Sequence, residues 1–193
     1  MLEITNVRPL YSENLDTEVS LISNENLRWF VDYVLRKAPS VFWKIPASTS
    51  GKFHPSYALG EGGLVRHTKA AVKFANHLLA LEMYSHLNKD EILAAIILHD
   101  VVKVGFTDDL SAHTVTEHPL LAKELIDKCY GECSYSLDFE VKERITELIA
   151  SHMGQWNKNK VGEEVLPKPE SEAEKFVHMC DYLASRKDLE VIF

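Results

Sequence analysis

Four histidines and two aspartates in this chain occupy positions that helical periodicity would otherwise give to apolar residues: His67, His99, Asp100, His118, His152 and Asp181. The clearest case is Ile96-Ile97-Leu98-His99-Asp100-Val101-Val102-Lys103, where nearly every neighbour from 92 to 104 is apolar. That pattern predicts a helix buried on most sides. An ionised aspartate in such surroundings is costly unless something positive meets it. Lys103, three residues on, shares its helical face and is one candidate partner. A shared cation is the other. Neutral imidazoles and carboxylates are ligands for first-row divalent metals, and helix bundles build metal sites from side chains on facing helices. Six such ligands exceed what one ion needs if it keeps positions open for water and substrate. They suit two ions, roughly 3.5–4 Å apart, with one carboxylate bridging. Asp100 is the expected bridge, because it directly follows His99.

The elements that must position these residues are legible as helices. Ser23-Asn24 caps a segment running through Leu27, Phe30, Val31, Val34 and Leu35 to Pro39. A long connection over 39–63 follows, ending in Gly60-Glu61-Gly62-Gly63. A second helix starts at Leu64, with His67 inside its stripe of Leu64, Ala71, Phe74, Ala75 and Leu78. A third has a predicted capping box, Asn88 with Glu91, and runs through His99 and Asp100 to Gly105. A fourth starts near Thr116 with Pro119 in its first turn and His118 at the head of its stripe. A fifth runs from Asp138 along Val141, Ile145, Leu148 and Ile149 to His152, closed by Gly154. The last begins with a capping box, Ser171 with Glu174, and buries Ala173, Val177, Cys180 and Ala184 beside Asp181. No strand pattern competes. The expected architecture is all-α, with an arm or short strand over 1–22 and a single domain over 23–193.

Composition narrows the function classes. At 193 residues and 46% hydrophobic, the chain supports one core and not two ordinary domains. A net charge of −8 argues against an extended nucleic-acid surface but leaves room for a phosphorylated substrate or a short single-stranded end. Cys129, Cys133 and Cys180 form no paired motif, which fits a reducing, cytoplasmic setting. No stretch is long enough to span a bilayer, so no membrane partner is expected. Two divalent ions against two aspartates would leave the centre positive and attractive to anions. A water between them would lose its proton near neutral pH and serve as a nucleophile. Lys103 then has two readings, the ion pair with Asp100 or a grip on a phosphate oxygen.

The order His67, His99-Asp100, Asp181 resembles the HD-domain superfamily of metal-dependent phosphohydrolases over roughly residues 40–188. His118 and His152 fall where two-metal members carry additional histidines. The closer similarity is to the HD domains of bacterial 3′→5′ exoribonucleases and of plasmid relaxase-associated proteins. It is carried by Pro46-Ala47-Ser48, His54-Pro55, Gly62-Gly63-Leu64-Val65-Arg66-His67-Thr68 and Ser151-His152-Met153-Gly154, and then by Pro169, Glu172-Ala173, His178 and Asp181. The resemblance implies a helical bundle with a binuclear centre of Mn, Fe, Ni, Co or Zn. It also implies hydrolysis of a nucleotide or short oligonucleotide, with Asp100 and Lys103 as catalytic residues. Met153 and Val102 depart from the family's His and Gly, and the first histidine pair is reduced to His54-Pro55. No Gly-Tyr-Pro signature of the cyclic-di-GMP subgroup is present, and no nucleic-acid-binding domain precedes the motifs. Expected substrate contacts are His54, Lys103, Arg66, and Trp156 with Lys158 on the loop after His152. His178 is expected to support the site or pack in the core and not to ligate, while His77, His86 and His113 face solvent. Two rival readings share the ligand set: a di-iron oxygenase of HD fold, and a non-catalytic HD module that senses a nucleotide.

Overall fold

A computed structural model describes residues 14–48, 51–52, 54–133 and 137–193, and among these the architecture is all-α. Seven α-helices run in order: α1 Asp16–Ser20, α2 Glu25–Lys37, α3 Gly63–Leu78, α4 Lys89–Leu98, α5 His118–Glu132, α6 Phe139–Ala150 and α7 Glu172–Ala184. Among the described residues no helix is long and apolar enough to cross a membrane.

Four of the expected helix starts are made by the expected side chains. Asn24, Asn88, Asp138 and Ser171 each accept a hydrogen bond from a first-turn backbone N–H, satisfying donors the helix leaves open. Ser171 and Glu174 complete a reciprocal box. Asn88 and Glu91 do not. The Asn88 side chain accepts from the Glu91 N–H, but the Glu91 carboxylate turns inward and takes two hydrogen bonds, at 2.9 and 2.8 Å, from Arg144 of α6.

Every residue of α4 from 91 to 98 is buried, so the helix has no solvent face. It is the central rod, packed against α2, α3, α6 and α7. Its leucines and isoleucines each contribute roughly 1.5–3 kcal/mol of burial. This is the force that draws the following His99 and Asp100 into the middle of the protein. The α-helix ends at Leu98 and not at Gly105. Beyond it the chain descends in tight turns, with the Val101, Lys103 and Gly105 N–H groups each bonded three residues back. Continued hydrophobicity through Val101, Val102 and Val104 mimics helix because those residues are buried as well.

Two further differences concern segments read as irregular. Within the stretch expected to be an arm, Asp16–Ser20 is helical, and Leu15, Val19 and Ile22 join the core. Residues 1–13 of that arm lie outside the described residues. The long connection over 39–63 is knitted to the start of α3. Gly62 N–H bonds Lys44 O, Leu64 N–H bonds Ile45 O, and Ala47 N–H bonds Ala58 O. Gly63 is required there, since a Cβ would strike the backbone of Ala58.

Glu91 is buried while Arg144 reaches solvent, so removing the arginine strands a buried charge. Arg144→Met is expected to lower unfolding stability by on the order of 2 kcal/mol near neutral pH, and Glu91→Leu by less. Urea denaturation followed by circular dichroism measures both. Parental stability in Arg144→Met would show that this pair does not tie α4 to α6.

Candidate metal centre

His67 projects from the second turn of α3, His99 and Asp100 follow the last turn of α4, and His118 opens α5. His152 lies in the turn after α6, and Asp181 near the end of α7. The structure brings all six together. Their rings form a continuous row, with centroids 5.6 Å apart for His67–His99, 4.9 Å for His99–His152 and 5.2 Å for His118–His152.

Three of the imidazoles are oriented by the same local device. The ring nitrogens Nδ1 of His99, His118 and His152 lie 2.7, 2.8 and 2.7 Å from the carbonyls of Ile96, Val115 and Ile149, each three residues earlier. A carbonyl only accepts, so Nδ1 carries the hydrogen and Nε2 of the neutral ring presents its lone pair to the centre. Among the helical ligands, His67 has no such carbonyl. Its Nε2 faces Asp181 Oδ1 at 2.9 Å, and its buried Nδ1 has no partner.

Asp100 divides its two oxygens between two sets of ligands. Oδ2 lies 2.5 Å from Lys103 Nζ, 3.3 Å from His99 Nε2 and 4.0 Å from His67 Nε2. Oδ1 lies 3.0 Å from His118 Nε2 and 4.0 Å from His152 Nε2. Two groups of three have ligand atoms all within 4.8 Å of one another, His67 with His99 and Asp181, and His99 with Asp100 and His152. His118 is outside both groups but stands 3.3 Å from His152, Nε2 to Nε2.

The centre is deeply enclosed. Asp100 and the four histidines are buried, while the Asp181 side chain keeps 22% of its surface exposed and marks the open side. Burial opposes ionisation of Asp100, but Lys103 and His99 hold its carboxyl well below the usual range. Burial likewise opposes a charged Asp181, but the neighbouring His67 and His99 hold its carboxyl well below the usual range. Burial disfavours a proton on His99, yet Asp100 and Asp181 outweigh it and push the pKa up to about 10. Burial, reinforced by His99 and His118, drives His152 down to about 3. Without a bound cation, a proton on His99 therefore fills part of that role. Buried His99 Nε2 and Asp100 Oδ1 form no hydrogen bond. Unspent lone-pair atoms converging beside two carboxylates are the donor set a divalent cation takes.

The surrounding residues divide clearly. His54 sits beside the centre, its ring 5.7 Å from that of His67, and burial holds its pKa down at about 4. Lys103 makes the ion pair with Asp100. Arg66, expected to meet substrate, is instead bound to the carbonyls of Tyr57, Leu59 and Glu61 and fastens the loop that carries His54. His178 supports the site as expected, its Nδ1 donating to the carbonyl of His152 at 2.7 Å. His77, His86 and His113 are exposed, with His86 pairing to Glu172 at 3.0 Å. Trp156 is 46% exposed and stacked on Tyr182, and Lys158 is exposed. Sequence reasoning missed Tyr182, as well as buried Asn157, whose side chain donates to Leu166 O and folds the loop after Trp156. The only signal for Asn157 was its place in a polar loop.

A family model described as HD domain matches residues 64–186. The chain is 28% identical over 185 residues to "3'-5' exoribonuclease YhaM" of Geobacillus sp. (strain WCH70), covering 92% of this chain and 52% of that protein. It is 28% identical over 148 residues to "3'-5' exoribonuclease YhaM" of Shouchella clausii (strain KSM-K16), covering 72% and 43% respectively. The chain thus spans about half the length of the curated relatives it matches. No solved structure matches it. With the matched segment running from the start of α3 to just past α7, and all six ligand candidates inside it, the chain belongs to the HD-domain family.

Proposed function

We propose that the protein is a metal-dependent phosphohydrolase that cleaves a phosphoester or phosphodiester of a nucleotide or short oligonucleotide. The observation that carries this reading is the division of Asp100, with one oxygen toward His118 and His152 and the other toward His99 and His67. A single carboxylate placed between two imidazole sets suits a bridge between two cations. Two divalent ions of the Mn, Fe, Ni, Co or Zn class, held by His67, His99, Asp100, His118, His152 and Asp181, supply a water of lowered pKa and positive charge against phosphoryl oxygens.

The chain's own residues supply the rest. The rings of His99, His118 and His152, fixed by the Ile96, Val115 and Ile149 carbonyls, turn Nε2 to the centre and need no rotation to ligate. Enclosure of Asp100 and the histidines keeps bulk water out, so charge interactions there are strong. Lys103 holds Asp100 and is the more exposed partner, so its ammonium would be able to meet a phosphoryl oxygen if cations satisfied the carboxylate. His54 lines the same side as His67, and Trp156 and Lys158 form the rim beyond His152. The exoribonuclease names of the relatives support a phosphodiester of RNA within this class.

Asp100→Ala is expected to reduce hydrolysis of generic phosphodiesters to background while leaving helix content, read by circular dichroism, unchanged. Full activity in that variant would remove the mechanism. Metal binding itself has a proton signature. His99, with its pKa near 10, is protonated below that value, so ligation must expel its proton and the apparent affinity must rise as pH rises. Calorimetric titration with Mn or Zn at about pH 8, in buffers of different ionisation enthalpy, is expected to report release of at least one proton per protein. Binding without proton release would exclude His99 as a ligand.

A further inference from the structure

The helix that supplies Asp181 carries His178 and Tyr182 four residues apart, one step around its surface, and Arg186 follows four residues later, just past the helix end. The loop leaving His152 folds back over these residues. Trp156 lies parallel to Tyr182, with rings 13° from coplanar and centroids 5.8 Å apart, and its ring is 6.0 Å from that of His178. On the Tyr182 ring sits the Arg186 guanidinium, 4.3 Å from the centroid and steadied by a 2.8 Å bond to Ser185 Oγ. Indole and guanidinium both lie against the phenol ring.

Packing alone does not account for it. A tryptophan used only to fasten the loop would be covered, yet Trp156 leaves 46% of its surface in water. The loop is already fastened by Asn157 to Leu166 and by His178 to His152. Charge favours the same side. Lys158 and Lys160 follow Trp156 on the same loop and Lys187 follows Arg186, all three exposed, in a chain whose net charge is −8. Of the loop's own acids, Glu164 pairs with Lys168 at 2.6 Å and faces Lys158 across an isolated antiparallel bridge, and Glu163 bonds Asn159 at 2.9 Å. The stack is also tied to the centre, because Trp156 follows His152 by four residues and Tyr182 adjoins Asp181, the ligand on the open side.

We infer that Trp156, backed by Tyr182 and Arg186, is a stacking platform for a nucleobase of the substrate whose phosphate lies at the metal centre. An exposed aromatic face polarised by a cation, with lysines around it, binds bases by stacking and the sugar-phosphate chain by charge, with little dependence on sequence. This rests on the phosphohydrolase reading but adds what that reading lacks, a reason for the substrate to carry a base.

The test uses the full metal-loaded chain and a phosphorothioate-linked hexa-adenylate that resists cleavage. It is expected to quench tryptophan fluorescence, and an abasic chain of equal length is expected to bind at least about tenfold more weakly without quenching. Trp156→Phe should keep most of the affinity and lose the quenching, because Trp29 and Trp43 remain. Trp156→Ala should weaken hexa-adenylate about tenfold. Quenching by adenosine monophosphate at comparable concentration would assign the platform to a mononucleotide, and a requirement for chain length to an oligonucleotide. Equal binding of base-bearing and abasic chains, or undiminished quenching in Trp156→Phe, overturns the inference. Hydrolysis of phosphodiesters with no preference for a base would overturn it while sparing the hydrolase reading. Base-dependent quenching without hydrolysis of any phosphoester would do the reverse.

Discussion

A carboxylate held almost wholly out of water is the constraint around which this protein is built. Asp100 is carried to the centre by α4, whose all-round apolar surface leaves it no alternative to burial. Desolvating that charge costs several kcal/mol, so the interior must supply compensation. Lys103 provides one positive group, and the proton that Asp100 and Asp181 hold on His99 provides another. The remaining Nε2 atoms are already aimed at the same point. Such a convergence of imidazoles and carboxylates is one that could hold a divalent cation, which an isolated buried ion pair could not.

The placement of the ligands at helix ends has a simple cause. Inside a helix every carbonyl is taken by the N–H four residues on, whereas the last turn leaves carbonyls over. His99 and His152 bond carbonyls of the last turn and His118 the one at Val115 just before α5 begins, with the Ile149 and Val115 oxygens shared with the backbone N–H groups of His152 and His118. Each gains a fixed ring orientation and tautomer from a bond that costs the fold nothing. His67, set within an intact helix, shows the contrast. Its ring is held from outside by Asp181, and its Nδ1 stays unpartnered.

Much of this was legible in sequence because it depends on local chemistry. Caps at Asn24, Asn88, Asp138 and Ser171 act within one turn, and inward histidines stand out against apolar stripes. Other features were hidden for definable reasons. Periodicity cannot locate the end of α4, because a segment buried on all sides has no period to lose. The Glu91 carboxylate could satisfy its own helix cap or a residue far along the chain, and only the packing of α4 on α6 decides for Arg144. Arg66 looked available for substrate because nothing in its neighbourhood reveals that the 57–61 loop presents three carbonyls to it. The helix at Asp16–Ser20 is too short to show a stripe, and its role is visible only once Val19 is seen in the core.

The connection between α6 and α7 joins these levels. Gly154, at φ +57°, turns the chain away from His152 where any Cβ would meet the His178 ring. That ring in turn holds the His152 carbonyl, so the turn, the ligand and α7 fix one another. Trp156 leaves this junction already oriented against Tyr182, one residue from Asp181. A rim anchored through two ligands cannot drift relative to the centre without distorting it. Exposed side chains of this loop such as Lys158 can vary, while the backbone that carries them remains tied to the turn holding His152.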